Sequence, residues 1–197
     1  MRTIYSCKVD DIENFKDQLF NWSKQFQDVV WLNSNASHNS TYDAIMAVEA
    51  FTAIKTDHTQ ALDNLEEYQN QTQDWIFGYI SYDIKNGIEN LVSQNDDGLD
   101  FPDLYFFQPQ KLFLIKGNQV ECRYLNFVAD DIKIDIENIK NQKKSDGIQS
   151  EAIHLKSKIS RKDYLLKLNE VLDHIKRGDI YEMNFCQEFY AENHNFD

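Results

Sequence analysis

The chain has 197 residues, 42% hydrophobic and 13% aromatic, with 20 Lys plus Arg against 33 Asp plus Glu and a formal charge of −13. This length suits one ordinary domain, or one domain and part of another, around a sizeable core. The negative field repels nucleic-acid phosphates and anionic membrane surfaces, the aromatic content argues against disorder, and 6 Gly with 2 Pro exclude collagen-like and low-complexity classes.

Met1 to Asp11 lacks the apolar stretch of a signal peptide, and no run approaches the ~18–20 apolar residues of a membrane span. A cytoplasmic protein is expected. Thr3–Cys7 reads as a first strand. Asp10 or Asp11 then caps a helix with Ile12, Phe15, Leu19, Trp22 and Phe26 at helical spacing. Val29–Leu32 reads as a buried strand, Asn33–Thr41 as a polar loop, and Ala44–Val48 and Phe51–Ile54 as strands on either side of a bend at Glu49 or Ala50.

Ala61 to Tyr68 marks a short amphipathic helix. Trp75–Tyr82 is a strand whose Gly78 signals close approach by another chain segment. A helix over Ile84–Val92 and an acidic loop over Ser93–Asp100 follow. Leu104–Phe107, Lys111–Lys116 and Gln119–Asn126 read as three strands, the last two joined by a Gly117-Asn118 hairpin turn. Asp130 and Asp131 cap a helix through Ile139, and Asn141–Ser150 is the best linker. Beyond it come a strand at Ile153–Leu155, a helix capped by Ser160 and ended by Gly178, and a long strand over Ile180–Tyr190.

This order predicts an α+β fold with a largely antiparallel sheet: an N-terminal α+β domain over 1–150, and over 151–197 the opening of a second domain. Cys7, Cys122 and Cys186 are expected as reduced, mostly buried thiols. The five histidines show no metal-ligand spacing, and there is no Walker loop, G-x-G-x-x-G or G-x-S-x-G. His174 suits a helix C-terminus. The pairs Glu66-Glu67, Asp96-Asp97 and Asp130-Asp131 suit caps or solvated faces rather than a metal.

Resemblance carries the reading further. Gly178-Asp-Ile-Tyr-Glu-Met-Asn-Phe-Cys-Gln-Glu-Phe189 resembles the G-D-x-Y-Q-x-N-x-x-Q-R-F signature of the chorismate-utilising enzymes, above all the aminodeoxychorismate synthase component I group. Phe77-Gly-Tyr-Ile-Ser-Tyr-Asp83, with Glu89 after it, resembles that family's G-x-x-x-Y-D stretch. Trp31-Leu-Asn-Ser34 and the loop to Tyr42-Asp43 resemble its early L-x-S … F-D segment, and Phe101-Pro-Asp103 is a fourth, weaker match. Glu182 and Glu188 depart from the signature's Gln and Arg.

The resemblance implies the N-terminal part of an enzyme that aminates chorismate to 4-amino-4-deoxychorismate for p-aminobenzoate and folate. A glutamine amidotransferase subunit would supply ammonia, and Mg²⁺ would hold the substrate carboxylate. Asn184 favours this chemistry over that of anthranilate synthase, whose large subunit usually has an aliphatic residue there. Gly178, Asp179, Tyr181 and Asn184 are the motif residues carried over, and Ser34 and Tyr42 are the candidate tryptophan contacts. The family's metal-binding glutamates and P-I-K-G-T lysine belong to its C-terminal half, and no P-I-K-G stretch occurs here. The chain is therefore expected to be an inactive fragment without catalytic or metal-binding residues. The alternatives are an anthranilate synthase fragment and a free-standing small-ligand module.

Overall fold

A computed structural model describes residues 1–37, 39–89, 91–92, 97–143 and 153–192. The chain divides into two units, Met1–Ser145 and Asp146–Asp197. In the first, strands β1 (Arg2–Lys8), β2 (Val29–Asn33), β3 (Ala44–Thr56), β4 (Phe77–Ile80), β5 (Leu104–Lys116) and β6 (Gln119–Leu125) form one antiparallel sheet. Its order is β1-β6-β5-β3-β2, with β4 beside the first part of β5. The helices are α1 (Ile12–Ser23), α2 (Ala61–Thr72), the single turn α3 (Lys85–Ile88) and α4 (Ile132–Lys140). The second unit holds α5 (Arg161–Arg177) and a two-residue ladder of β7 (Lys156–Ser157) with β8 (Phe189–Tyr190). The fold is α+β, as expected from the sequence. No described helix is long and apolar enough to cross a membrane.

Helical periodicity explains the main core. Phe15, Leu19 and Trp22 of α1 and Ile132, Ile136 and Ile139 of α4 pack on Met46, Val48, Phe113, Ile115, Val120 and Tyr124 of the sheet. The Asp11 carboxylate accepts the Asn14 N–H at 3.0 Å and so starts α1. A separate cluster joins Ala47, Leu112 and Leu114 to Phe77 and Phe107.

Several local expectations change. β2 is an edge strand, with Leu32 49% exposed, rather than a buried one. The expected strand pair Ala44–Val48 and Phe51–Ile54 is one strand, β3, whose bend is a bulge between Ala50 and Thr52 with Glu49 at φ 64°. Leu104–Phe107 and Lys111–Lys116 likewise belong to one strand despite Pro109. The expected Ile84–Val92 helix is reduced to a 3₁₀ turn at Tyr82–Ile84 and α3. Ile153–Leu155 is not a strand; the short pairing starts at Lys156. Ile180–Glu188 is irregular, since only Phe189 and Tyr190 find a pairing partner among the described residues. Cys122 is buried, but Cys186 is exposed. Part of the acidic loop (93–96) and of the linker (144–150) lies outside the described residues.

Pro109 is tolerated because β4 pairs with β5 only up to Phe107 and β6 only from Lys111, leaving 108–110 without a strand on that side. Arg2 fills the gap. Its guanidinium donates to the carbonyls of Pro109 (2.6 Å) and Arg123 (2.9 Å), while Nε bonds Asp74 at 2.9 Å. The Gln108 side chain also bonds Asp74 (2.8 Å), and its N–H finds the Tyr68 hydroxyl at 3.0 Å. Burial pushes the Asp74 carboxyl up, but the bonds from Arg2 and Gln108 outweigh it and hold it below its usual range. Gly78 meets its expectation of close approach: a Cβ there would lie 1.9 Å from the Tyr105 carbonyl oxygen.

Asp131 does not cap α4 through its side chain. It turns instead to Lys111, which is buried beneath the α1–α4 layer. The Lys111 ammonium lies 2.8 Å from Asp135 and 3.2 Å from Asp131, with the Trp22 and Tyr124 rings beside it. The Tyr124 hydroxyl donates to the same Asp135 oxygen at 3.0 Å. Burial opposes the lysine's charge; Asp135 and then Asp131 overcome it and raise its pKa. A buried pair contributes little net stability, but breaking it strands a charge. Asp135→Ala is expected to cost ~3–5 kcal/mol in urea unfolding, and Asp131→Ala, at a partly exposed partner, ~1 kcal/mol or less. The double variant Lys111→Met/Asp135→Leu recovers most of the loss.

Candidate functional site

In the first unit, the Ser34 to Tyr42 segment forms a corner between β2 and β3. The Ser34 N–H donates to the Asp43 carbonyl at 2.9 Å, and the Asp43 N–H to that of Ile115 at 2.8 Å. Asn35 and Ala36 take φ of 50° and 62°, and Asn33 Oδ1 accepts the Asn35 N–H. Tyr42 packs against the Ala47, Phe77 and Leu112 cluster. Ser34 is half-buried, and its hydroxyl bonds no other described residue. Asp43 fixes the corner to the hairpin: Oδ2 accepts the Gly117 N–H at 2.6 Å, and Lys116 reaches Oδ1 at 3.4 Å and the Ser40 carbonyl at 2.9 Å. His38 lies outside the described residues.

Two further segments singled out by resemblance meet. The Ser81 hydroxyl donates to Asp103 Oδ1 at 3.0 Å, and the Ser81 N–H to the Asp103 carbonyl at 2.7 Å. Asp103 Oδ2 accepts the His58 N–H at 2.9 Å and stands 3.2 Å from His58 Nδ1. One carboxylate thus ties the Gly-x-x-x-Tyr-Asp stretch, Phe101-Pro-Asp103 and the loop before α2. A cleft of about 580 Å³ opens beside this node, with Ser81, Tyr82, Lys85 and Phe101 on its wall. The sequence carries no signal for His58, because Asp103, which it bonds, is 45 residues away.

In the second unit, Ser160 accepts the Asp163 N–H at 3.1 Å and donates to its carboxylate at 2.6 Å, starting α5. Gly178, at φ 81°, ends it: its N–H bonds the Ile175 carbonyl, and the Asp179 N–H bonds that of His174. The Asp179 carboxylate then folds back onto His174 Nδ1 (2.8 Å) and Arg177 Nη2 (2.9 Å). His174 is therefore part of a side-chain clamp as well as a C-terminal group. Tyr181 and Asn184 are exposed, while Phe185 stacks on Tyr164 with ring centroids 4.9 Å apart. Glu188, which departs from the signature's Arg, sits 3.7 Å from Lys158. A cleft of about 490 Å³ is lined by Arg161, Tyr164, Gln187 and Phe189.

The Gly117 N–H is the main reason that the Asp43 carboxyl stays ionised below the usual carboxylate range. A pKa lower in the folded than in the unfolded chain adds stability above the unfolded value, ~3.9, and that stability is lost as pH falls through the folded value. Asp43→Asn is therefore expected to lower the melting temperature at pH 7. The gap from the unmodified chain is expected to narrow as the pH of the melt falls below the unfolded value, ~3.9, and through the lower folded one.

The chain is similar to an anthranilate synthase component I-like protein of Synechocystis sp., 26% identical over 132 residues, which are 66% of this chain and 27% of the relative. It thus spans about a quarter of that relative's length. The model of the chorismate binding enzyme family matches residues 16–197, taking in the Ser34 corner, the Ser81–Asp103 node and the Gly178 motif. With nearly its whole length matched, this chain belongs to the chorismate-binding enzyme family.

Proposed function

We propose that this chain is the N-terminal portion of a cytoplasmic aminodeoxychorismate synthase component I, which aminates chorismate to 4-amino-4-deoxychorismate on the route to p-aminobenzoate and folate. The observation that carries the reading is the Gly178–Phe189 segment with Asn184 at its centre, within a family match that covers 16–197. Gly178 in the left-handed region and the Asp179 clamp fix the direction in which this segment leaves α5, and Tyr181 and Asn184 stand exposed on it. In this reading Asn184 faces the substrate region and Asp179 is a positioning residue. Ser34 and Tyr42 are the candidate contacts for tryptophan.

The chemistry needs ammonia from a glutamine amidotransferase subunit and, for a dianionic substrate approaching a chain of charge −13, a divalent cation. Among the described residues no three His, Cys, Asp or Glu side chains converge as a metal site. The described residues do not fit Mg²⁺, whose ligands in this reading lie outside them. Anthranilate synthase chemistry is the second reading, supported by the name of the Synechocystis relative.

Growth rescue separates the two. The full-length reading frame that this proposal requires, expressed with an amidotransferase subunit, is expected to restore growth without p-aminobenzoate to a bacterium lacking aminodeoxychorismate synthase. Rescue of a tryptophan-requiring strain alone would contradict the first reading and support the second.

A further inference from the structure

Among the described residues β2 closes the sheet on one side and has a neighbour, β3, only on the other. The Glu49 N–H donates to the Asp28 carbonyl and the Ser34 N–H to the Asp43 carbonyl, so Asp28 and Ser34 occupy hydrogen-bonded pair positions. Antiparallel pairing alternates, which turns the N–H and C=O groups of Val30 and Leu32 toward β3 and those of Val29, Trp31 and Asn33 outward. Trp31 and Asn33 also wall a cleft of about 410 Å³, whose other side is the exposed stripe of α1 from Glu13 to Lys24. Phe20, 47% exposed, lies on that stripe.

We propose that this cleft takes an extended peptide segment of a partner protein, added to β2 as a further antiparallel strand. The outward donor–acceptor pairs of Trp31 and Asn33 recur every second residue, a spacing that an extended polypeptide matches along its own backbone. Trp31 and Phe20 offer an apolar seat for one side chain. Charge sets the direction. The chain reverses between α1 and β2, so Glu13 and Asp17 lie toward the Asn33 end of the groove and Lys24 toward the Val29 end. Glu13 and Lys16 pair with each other at 2.7 Å, which leaves Asp17 as the acidic group toward the Asn33 end and Lys24 as the basic group toward the Val29 end. An antiparallel guest with a basic residue at its start and an acidic one at its finish therefore meets opposite charges at both ends. Trp31 and Asn33 belong to the segment that ends at Ser34, but the inference rests on their outward backbone groups and the cleft beside them and not on the Gly178 motif.

The probe is the pentapeptide acetyl-Lys-Val-Phe-Thr-Glu-amide, titrated into the ¹⁵N-labelled 197-residue chain, with the charge-swapped acetyl-Glu-Val-Phe-Thr-Lys-amide as its control. At ten times the dissociation constant, amide exchange at Trp31 and Asn33 is expected to slow about tenfold, with Val30 and Leu32 unchanged. The swapped peptide binds about fivefold more weakly, and the exposed substitution Lys24→Glu erases that preference. No slowing at Trp31 and Asn33 up to about 5 mM peptide, or slowing confined to other residues, would overturn the proposal. So would protection of the same amides in a peptide-free dimer seen by sedimentation, which would assign the edge to a second copy.

Discussion

A strand that carries a proline through the middle of a sheet must leave part of its ladder unmade, and β5 is such a strand. It pairs with β3 along nearly its whole length, but on the other side it changes partner from β4 to β6 across Gln108–Gln110. The carbonyls left over would be costly if buried without partners. The Arg2 guanidinium answers for those of Pro109 and Arg123, and Asp74 neutralises it. The bulge in β3 opposite Pro109 bends the same line of the sheet. Pro109, the bulge and Arg2 are thus three parts of one accommodation.

That accommodation divides the sheet into two ends, each carrying a family-like segment. On the β4 side, Gly78 lets the backbone close onto Tyr105, and the strand delivers Ser81 to Asp103. On the β6 side, the Gly117 turn delivers an N–H to Asp43, which fixes the corner carrying Ser34 and Tyr42. Lys111 sits next to the crossover and is locked by Asp135 and Asp131 under α4. The family-like segments therefore stand on rigid supports that lie far from them in sequence.

Features set by neighbours in sequence were legible: the Asp11 and Ser160 caps, the Gly117-Asn118 turn, the Gly178 terminus and the close approach at Gly78. Each depends on residues only a few positions apart or on the steric rules of a single residue. Features set by distant partners were not. Asp131 reads as a cap because Lys111, twenty positions away, is invisible as its partner, and the strands around Pro109 read as two because nothing local announces Arg2. Ile180–Glu188 reads as a strand by composition, yet a strand exists only where another backbone accepts its bonds. At the candidate sites, resemblance found the segments and helix position singled out His174, while the structure supplied His58 and Arg177 and the partners that Ser81 and His174 take.

In the second unit, α5, its left-handed terminus and the Asp179 clamp present the motif residues, and no three His, Cys, Asp or Glu side chains converge as a metal site among the described residues. The proposed division of labour is that this chain shapes and presents, and that chemistry belongs to residues outside it. The most direct test is to incubate the purified 197-residue chain with chorismate, ammonia and Mg²⁺ and to follow chorismate by absorbance and its products by chromatography. Chorismate should disappear no faster than in buffer alone; a faster loss, with an aminated product accumulating, would contradict the account.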